Sequence, residues 1–235
     1  MTPVALPAGW KLDGAGGQIQ GKRADQEDAW RLERYGKAEC VAALADGLGG
    51  HPAGDVASHE AVNVFISHVA SQRKNATTPV RKWLEDGVIH ADDHLRDMQV
   101  RDPELEGMAT TFVGAYAQGR ELSLVAVGDS YALLLRDGVL SRMNELHSEG
   151  GGVTSCVGFN LSRIDLADKL LLLPDDRVLL ASDGIVTLAE DEIAAMLKQS
   201  IDAHAAVHNL LRAVEDAQVP HQDNVTVVAL FFQGA

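Results

Sequence analysis

The chain has 235 residues, of which 46% are hydrophobic and 23% are charged, and its formal net charge is −14 at pH 7. This composition is that of a globular protein with room for a substantial core, and it is unlike that of a disordered chain. The negative charge argues against nucleic acid as the main partner, because the phosphate backbone would be repelled. Where several acids converge they need cations, and hard carboxylate oxygens select Mg²⁺ or Mn²⁺.

The ends of the chain and its cysteines indicate a cytoplasmic protein without a membrane partner. Neither end carries an apolar run that could cross a bilayer, and the segment from Met1 to Gly17 lacks the regions of a signal peptide. Cys40 and Cys156 lie far apart, so we expect both to be reduced packing residues. Residues 1–15 are interpreted as a lead-in, and residues 16–235 as a single domain.

Two stretches near the N-terminus place acids beside predicted strands. In the polar run from Gly21 to Trp30, Arg23 precedes Glu27 and Asp28. This run is either an ordinary hairpin loop or a phosphate-binding guanidinium beside carboxylates for a metal. The apolar run that begins at Ala42 ends at Asp46-Gly47. Taken alone, such an ending is more often a tight turn than a site.

Two helices are predicted next, from the spacing of apolar residues on one face. The first covers Pro52 to Arg73, and the second opens at Thr78-Pro79 with Thr78 as its cap. His90 and His94 on the second helix have the spacing of a zinc-protease motif. Because no third ligand is evident and the general-base position differs, we interpret them as part of a solvated helix face.

The rest of the chain repeats the pattern of a strand beside an aspartate. The strand Leu122 to Val127 leads into Gly128-Asp129, and a later strand leads into Asp183-Gly184. Asp223 stands just before the last strand. The string after Val127 is not a nucleophile elbow, because no helix is predicted to follow it. In an antiparallel sheet the end of one strand lies beside the start of its neighbour, so Asp46, Asp183 and Asp223 are predicted to meet at one edge. Together with nearby acids they could hold two ions about 4 Å apart.

Six motifs in this order resemble those of the bacterial protein phosphatase 2C-like family of metal-dependent Ser/Thr protein phosphatases. The resemblance covers nearly the whole chain from about Gly16 onward. It implies an α+β fold in which two antiparallel β-sheets pack as a sandwich flanked by helical layers. The six motifs are Arg23 to Asp28, Ala45 to His51, Gly107 to Thr111, Val127 to Ser130, Ala181 to Gly184 and Asp223 to Val227.

The resemblance also implies roles for individual residues. Arg23 would bind the phosphoryl oxygens, and Asp46 would bridge two Mn²⁺ or Mg²⁺ ions. A third, weaker metal ion would involve Asp129 together with Asp183. Gly47 would add its carbonyl to one of the two ions, and Asp183 and Asp223 would bind the other. Glu27 and Asp28 would act directly or through water.

The implied activity is hydrolysis of phosphoserine and phosphothreonine by a metal-bridging hydroxide, without a covalent intermediate. The expected partner is a phosphoprotein made by a Ser/Thr kinase, and a monomer is expected. Two alternatives remain: a catalytically silent module that binds a phosphoprotein or kinase, and a phosphatase of a small phosphate ester.

The sequence departs from the family pattern at several positions. Leu48 stands where eukaryotic members have a histidine, which leaves a metal-bound water or His51 as the candidate proton donor. For His51 a loop-capping role is favoured. Gln26 replaces the family's common asparagine, and Leu146 replaces its usual aspartate. The flap that borders the site is shortened to about residues 146–159, so substrate preference cannot be transferred.

Overall fold

Two five-stranded antiparallel sheets form the centre of the molecule in the computed structural model, which describes residues 10–48, 53–74 and 78–233. One sheet has the order β1-β12-β11-β6-β7 and the other β10-β5-β4-β3-β2, while β8 and β9 form a small hairpin. The strands are β1 Lys11–Ile19, β2 Asp28–Arg34, β3 Glu39–Asp46, β4 Phe112–Gln118, β5 Glu121–Val127, β6 Tyr131–Arg136, β7 Val139–Arg142, β8 Ser148–Glu149, β9 Gly152–Val153, β10 Asp165–Leu171, β11 Arg177–Ala181 and β12 Val225–Gln233.

A pair of helices covers the outer face of each sheet. The helices are α1 Gly54–Arg73, α2 Val80–Arg101, α3 Glu190–Gln199 and α4 Ala203–Asp216. Side chains such as Phe65 of α1 and Leu84 of α2 pack on the sheet that contains β3, and Leu210 of α4 packs on the sheet that contains β12. The predicted sandwich of two sheets between helical layers is therefore confirmed. No described helix is both long enough and apolar enough to span a bilayer.

The pleat of β3 explains why its sequence is apolar without interruption. Cys40, Ala42 and Leu44 face the other sheet, whereas Val41 and Ala43 face the helices. Because successive side chains point to opposite faces and both faces are covered, every position of the strand between its two acidic end residues is buried. Both predicted packing cysteines are free and buried, as expected.

Three elements differ from the sequence-based expectations. The chain enters the sheet at Lys11, where β1 begins to pair with β12, so residues 11–15 are not a separate lead-in. The prediction that Thr78 caps the second helix was wrong, because α2 begins at Val80 without a side-chain cap. The Thr78 hydroxyl instead accepts a hydrogen bond from the indole N–H of Trp83 (2.8 Å). Strand β10 was not predicted, because its polar, irregular pattern belongs to an edge strand with a bulge.

Candidate metal centre

The acids lie where the core between the two sheets reaches one end of the sandwich. In β3, Asp46 follows the alternation of Leu44 and so points between the sheets. Asp28, at the start of β2, has the same alternation and is the direct cross-strand partner of Asp46. Ser182 lies just past β11 in the other sheet and continues the inward alternation of Leu180.

Asp28 connects the two sheets and retains one oxygen without a partner. The Ser182 hydroxyl donates to Asp28 Oδ2 (2.8 Å), and Ser182 Oγ accepts from the backbone N–H of Thr226 (2.9 Å). Asp28 is fully buried, and its Oδ1 has no hydrogen-bond partner among the described residues. A buried carboxylate oxygen without a donor is costly, so this atom is suited to a cation.

Burial and crowding raise the pKa values of the clustered acids. Burial is the main reason why the pKa of Asp46 lies well above its usual range, and repulsion from the charges of Asp28 and Asp183 adds to it. Burial, followed by the charges of Asp129 and Asp223, raises the pKa of Asp183 to about 6. Burial also raises the pKa of Asp129. Because these shifts disfavour ionised acids, a bound cation would relieve an unfavourable concentration of negative charge.

The acids come from both sheets rather than from one edge of a single sheet, which corrects the sequence-based prediction. Asp46 ends a strand of one sheet, while Asp183 and Asp223 flank neighbouring strands of the other. Asp129 follows β5 and precedes β6, so it lies on the chain crossing between the sheets. The stacking of the two sheets places the C-terminal ends of β3 and β11 together. Strand pairing alone does not determine this, because the two strands belong to different sheets.

Arg23 lies at the open side of the cluster. Its Nη2 donates to Asp223 Oδ2 at 2.6 Å, and the side chain remains 46% exposed. This hydrogen bond is the main reason why the pKa of Arg23 is raised, so the guanidinium stays charged. Glu27, on the same loop, has a raised pKa because of burial, an effect that Arg23 opposes.

Asn224 holds the loop that carries Arg23 and Glu27. Its Oδ1 accepts from the backbone N–H of Glu27 (2.9 Å), and its Nδ2 donates to the carbonyls of Gln20 (2.8 Å) and Asp25 (3.0 Å).

Gln26, the position that departs from the family pattern, reinforces the same loop. Its Nε2 donates to the carbonyl of Ile19 (3.0 Å), and its Oε1 accepts from the backbone N–H of Asp28 (3.0 Å). The loop is therefore held by two side-chain amides, that of the buried Asn224 and that of the half-buried Gln26.

Gly47 occupies a position where a side chain cannot fit. A Cβ there would lie 2.3 Å from the carbonyl oxygen of Gly54 and 2.7 Å from that of Glu27. Its N–H donates to the carbonyl of Glu27 (3.1 Å). This close approach of three backbone segments explains the glycine after Asp46 and leaves peptide carbonyls beside the acids.

Several supporting residues were not predicted. Thr111 and Thr110 hold the end of β3, since the Thr111 N–H and the Thr110 hydroxyl both donate to the carbonyl of Asp46 (2.8 Å each). Thr111 Oγ1 accepts from the Asp46 N–H (3.1 Å) and pairs with the Ser130 hydroxyl (2.7 Å). The signal in the sequence is that these residues fall within the motifs Gly107 to Thr111 and Val127 to Ser130.

The donor set fits a divalent cation that prefers oxygen. It consists of carboxylates and peptide carbonyls, and such hard ligands suit Mg²⁺ and Mn²⁺. Within the part of the chain that the structure describes, no three His, Cys, Asp or Glu side chains already surround one point as ligands of a single ion. One oxygen of Asp28 and one of Asp223 are instead engaged by Ser182 and Arg23.

The histidines singled out in the sequence do not join this site. His51 lies outside the described residues. His90 Nδ1 is 2.9 Å from His68 Nδ1, and His94 Nε2 is 2.8 Å from Glu60 Oε2, so each contacts a different residue of α1. The pair therefore does not form half of a zinc site.

Comparison with known proteins identifies the family of this chain. A family model described as protein phosphatase 2C matches residues 16–223. The chain belongs to the protein phosphatase 2C family. Within this family, the serine/threonine protein phosphatase PstP of Mycobacterium tuberculosis (strain CDC 1551 / Oshkosh) is 36% identical over 124 residues, which make up 52% of this chain and 22% of that protein.

Other protein phosphatase 2C relatives extend the comparison. The serine/threonine phosphatase stp of Listeria monocytogenes serotype 4b is 32% identical over 109 residues, covering 46% of this chain and 43% of that protein. The chain thus matches less than half of the length of either relative. A crystal structure of the catalytic domain of PstP in complex with two manganese ions superposes with a TM-score of 0.75 at 27% identity, covering 96% of this chain and 100% of that chain.

Proposed function

We propose that this chain is a metal-dependent protein serine/threonine phosphatase that hydrolyses phosphoserine and phosphothreonine. The observation that carries the proposal is the meeting of acids from both sheets beside one exposed arginine. Relatives named serine/threonine phosphatases and a neighbouring structure that contains two manganese ions support it. A phosphate monoester dianion would be repelled by the acids alone, so the reaction requires cations at this site.

The residues that would hold two Mn²⁺ or Mg²⁺ ions are those that the sequence singled out. Asp46 lies centrally, because it is the cross-strand partner of Asp28 and its pKa responds to Asp183, Asp223 and Asp129. When bound, the ions would supply Lewis acidity and an activated water. The proposed ligands are Glu27, Asp28, Asp46, the carbonyl of Gly47, Asp183 and Asp223, with Asp129 and Asp183 at a third ion.

Arg23 is proposed to bind the phosphoryl group. Its guanidinium is exposed at the side of the cluster that faces solvent, and Asp223 directs it from one side. The planar guanidinium offers paired N–H donors that match the oxygens of a phosphate. Asn224 fixes the backbone of the same loop, so the guanidinium is presented from a supported position.

Ser182 and Asp28 are proposed to fix the spacing of the acids. Their hydrogen bond joins a residue after β11 to a residue at the start of β2, across the two sheets. Because the proposed ligands are divided between the sheets, sliding of one sheet over the other would separate them. Both residues are fully buried, which also keeps water from this side of the site.

Several features of the proposal remain predictions. They include the role of His51 as proton donor, the origin of the substrate from a Ser/Thr kinase, a monomeric state, and a cytoplasmic location. The description of residues 16–235 as one catalytic domain with a shortened flap at residues 146–159 is also proposed, except that β1 extends this domain back to Lys11. No described feature favours the silent binding module or a small phosphate ester over a phosphoprotein substrate.

The decisive experiment compares metal-dependent hydrolysis in three proteins: the wild type, Asp183→Asn, and Asp97→Asn as a matched control. Asp97 lies on α2 with its side chain 72% exposed. After removal of metal with chelator, each protein is given Mn²⁺ or Mg²⁺ and either a phosphothreonine peptide or para-nitrophenyl phosphate.

We expect metal-dependent turnover in the wild type and in Asp97→Asn, and loss of it in Asp183→Asn. Faster turnover of a small ester than of the phosphopeptide would favour the metabolite alternative. A folded wild-type protein that is inactive with every metal would refute the phosphatase and favour the binding module.

A further inference from the structure

The turn that carries Asp129 is held by the first residues of the flap. Gly128 immediately precedes Asp129, and His147 makes two hydrogen bonds with Gly128. The backbone N–H of His147 donates to the carbonyl of Gly128 (2.8 Å), while Nδ1 of the imidazole accepts from the Gly128 N–H (3.2 Å). His147 is 1% exposed, so water does not compete for these bonds.

Asn144 holds the other side of the same turn. Its Oδ1 accepts from the Ala132 N–H (2.8 Å), and its Nδ2 donates to the carbonyl of Ser130 (3.0 Å). Asn144 is also buried. Asn144 and His147, which precede the β8–β9 hairpin, therefore make four hydrogen bonds around Asp129: two to Gly128, one to Ser130 and one to Ala132.

The backbone of this turn requires such support. Gly128 has φ of +93°, in the region that favours glycine, and a Cβ there would lie 2.8 Å from Thr111 Cβ. Thr111 in turn binds the N–H of Asp46. The turn that carries Asp129 thus lies between the flap on one side and Thr111, which holds Asp46, on the other. The position of this turn therefore affects how the carboxylates of Asp129 and Asp46 face each other.

The acceptor role of Nδ1 defines the chemical state of His147. An imidazole nitrogen can accept a hydrogen bond only when it carries no proton, so the ring must be neutral with its proton on Nε2. Burial lowers the pKa of His147, an effect to which the charge of Arg163 adds, while Asp165 and Glu145 act in the opposite direction.

We propose that His147 is a positioning residue that fixes Asp129 through Gly128 and thereby couples the flap to metal binding at Asp129. The inference rests on the proposed function, because it assigns Asp129 a metal ion. It goes beyond that function by giving the root of the shortened flap a role in the metal centre. His147 itself contacts neither substrate nor metal in this proposal.

The test uses substitutions that separate the acceptor from the bulk of the ring. His147→Asn places an amide oxygen near the position of Nδ1, whereas His147→Leu keeps volume but has no acceptor. Metal binding is measured by calorimetry with Mn²⁺ alone, which needs no catalytic turnover. We expect the weakest Mn²⁺ site to lose affinity by about tenfold in His147→Leu, and to lose little in His147→Asn, since the loss of one buried hydrogen bond between neutral groups corresponds to at most roughly this factor.

A double-mutant cycle distinguishes positioning from a purely structural role. Asp129→Asn removes the carboxylate, and the double variant with His147→Leu should bind Mn²⁺ no more weakly than Asp129→Asn alone. Additive losses in the double variant would show that His147 acts independently of Asp129 and would overturn the proposal.

Two further outcomes keep the test informative if His147→Leu fails to fold. The ¹⁵N spectrum of the wild-type imidazole should show an unprotonated Nδ1 at pH 7, and a protonated Nδ1 would contradict the proposal. A folded His147→Asn variant that loses the weakest Mn²⁺ site would contradict it as well. If the wild type binds Mn²⁺ but hydrolyses no phosphate ester, the proposed function fails while this inference can still be decided by the binding cycle.

Discussion

Replacement of Asn224 by alanine tests whether buried amides hold the loop that presents Arg23. The change removes three hydrogen bonds, those to the N–H of Glu27 and to the carbonyls of Gln20 and Asp25. Asn224 is 5% exposed, so water can replace these bonds only in part. Since each bond contributes about 1 kcal/mol net, the free energy of unfolding should fall by roughly 2–4 kcal/mol.

Two measurements follow from this estimate. For a domain of this size, about 1 kcal/mol lowers Tm by roughly 2–4 °C, so Asn224→Ala should melt about 4–16 °C lower than the wild type. Because the loop carries the proposed phosphate ligand, KM for a phosphothreonine peptide should also rise, by about tenfold.

Asn63→Ala provides the matched control. Asn63 lies on α1, where its side chain accepts one exposed hydrogen bond from Arg31 (3.1 Å), so its loss should change stability by less than about 0.5 kcal/mol. An Asn224→Ala protein with the Tm and KM of this control would refute the reasoning, because the loop would then be held without the amide.

Three further predictions concern the site and its surroundings. Asp183→Asn should lower kcat by at least about 10³-fold, yet the metal-free variant should melt no lower than the wild type, because removing one charge relieves repulsion among crowded carboxylates. Gly47→Ala should lower the free energy of unfolding by about 2 kcal/mol or more, measured by urea unfolding, because its Cβ would lie 2.3 Å from the carbonyl oxygen of Gly54; unchanged unfolding would show that this approach is not tight. The pKa of His147 is lowered by burial, so the unfolded chain takes up the proton first and the native state loses stability as pH falls below about 6.5. Tm should therefore fall more steeply below this pH in the wild type than in His147→Asn, and parallel curves would contradict this assignment.

The sequence determined which segments form the sandwich and which acids adjoin its strands. The run that ends at Asp46 is apolar at every position because β3 is covered on both faces, and this pattern is visible without a structure. Helices α1 and α2 were predicted to begin within two residues of their observed starts, because apolar residues recur on one face of each. Six ordered motifs also pointed to the family that matches residues 16–223.

Only the tertiary structure decided how these pieces support one another. Stacking of two sheets, rather than pairing within one, brings Asp46 and Asp183 to the same end of the molecule. The bonds from Ser182 to Asp28 and from Asn224 to Glu27 join residues separated by 154 and 197 positions. Local propensity carries no information about such pairs, because their geometry depends on strand register and sheet packing across the whole chain. The sequence thus specified the chemical groups of the site, and the packing of the two sheets specified their arrangement.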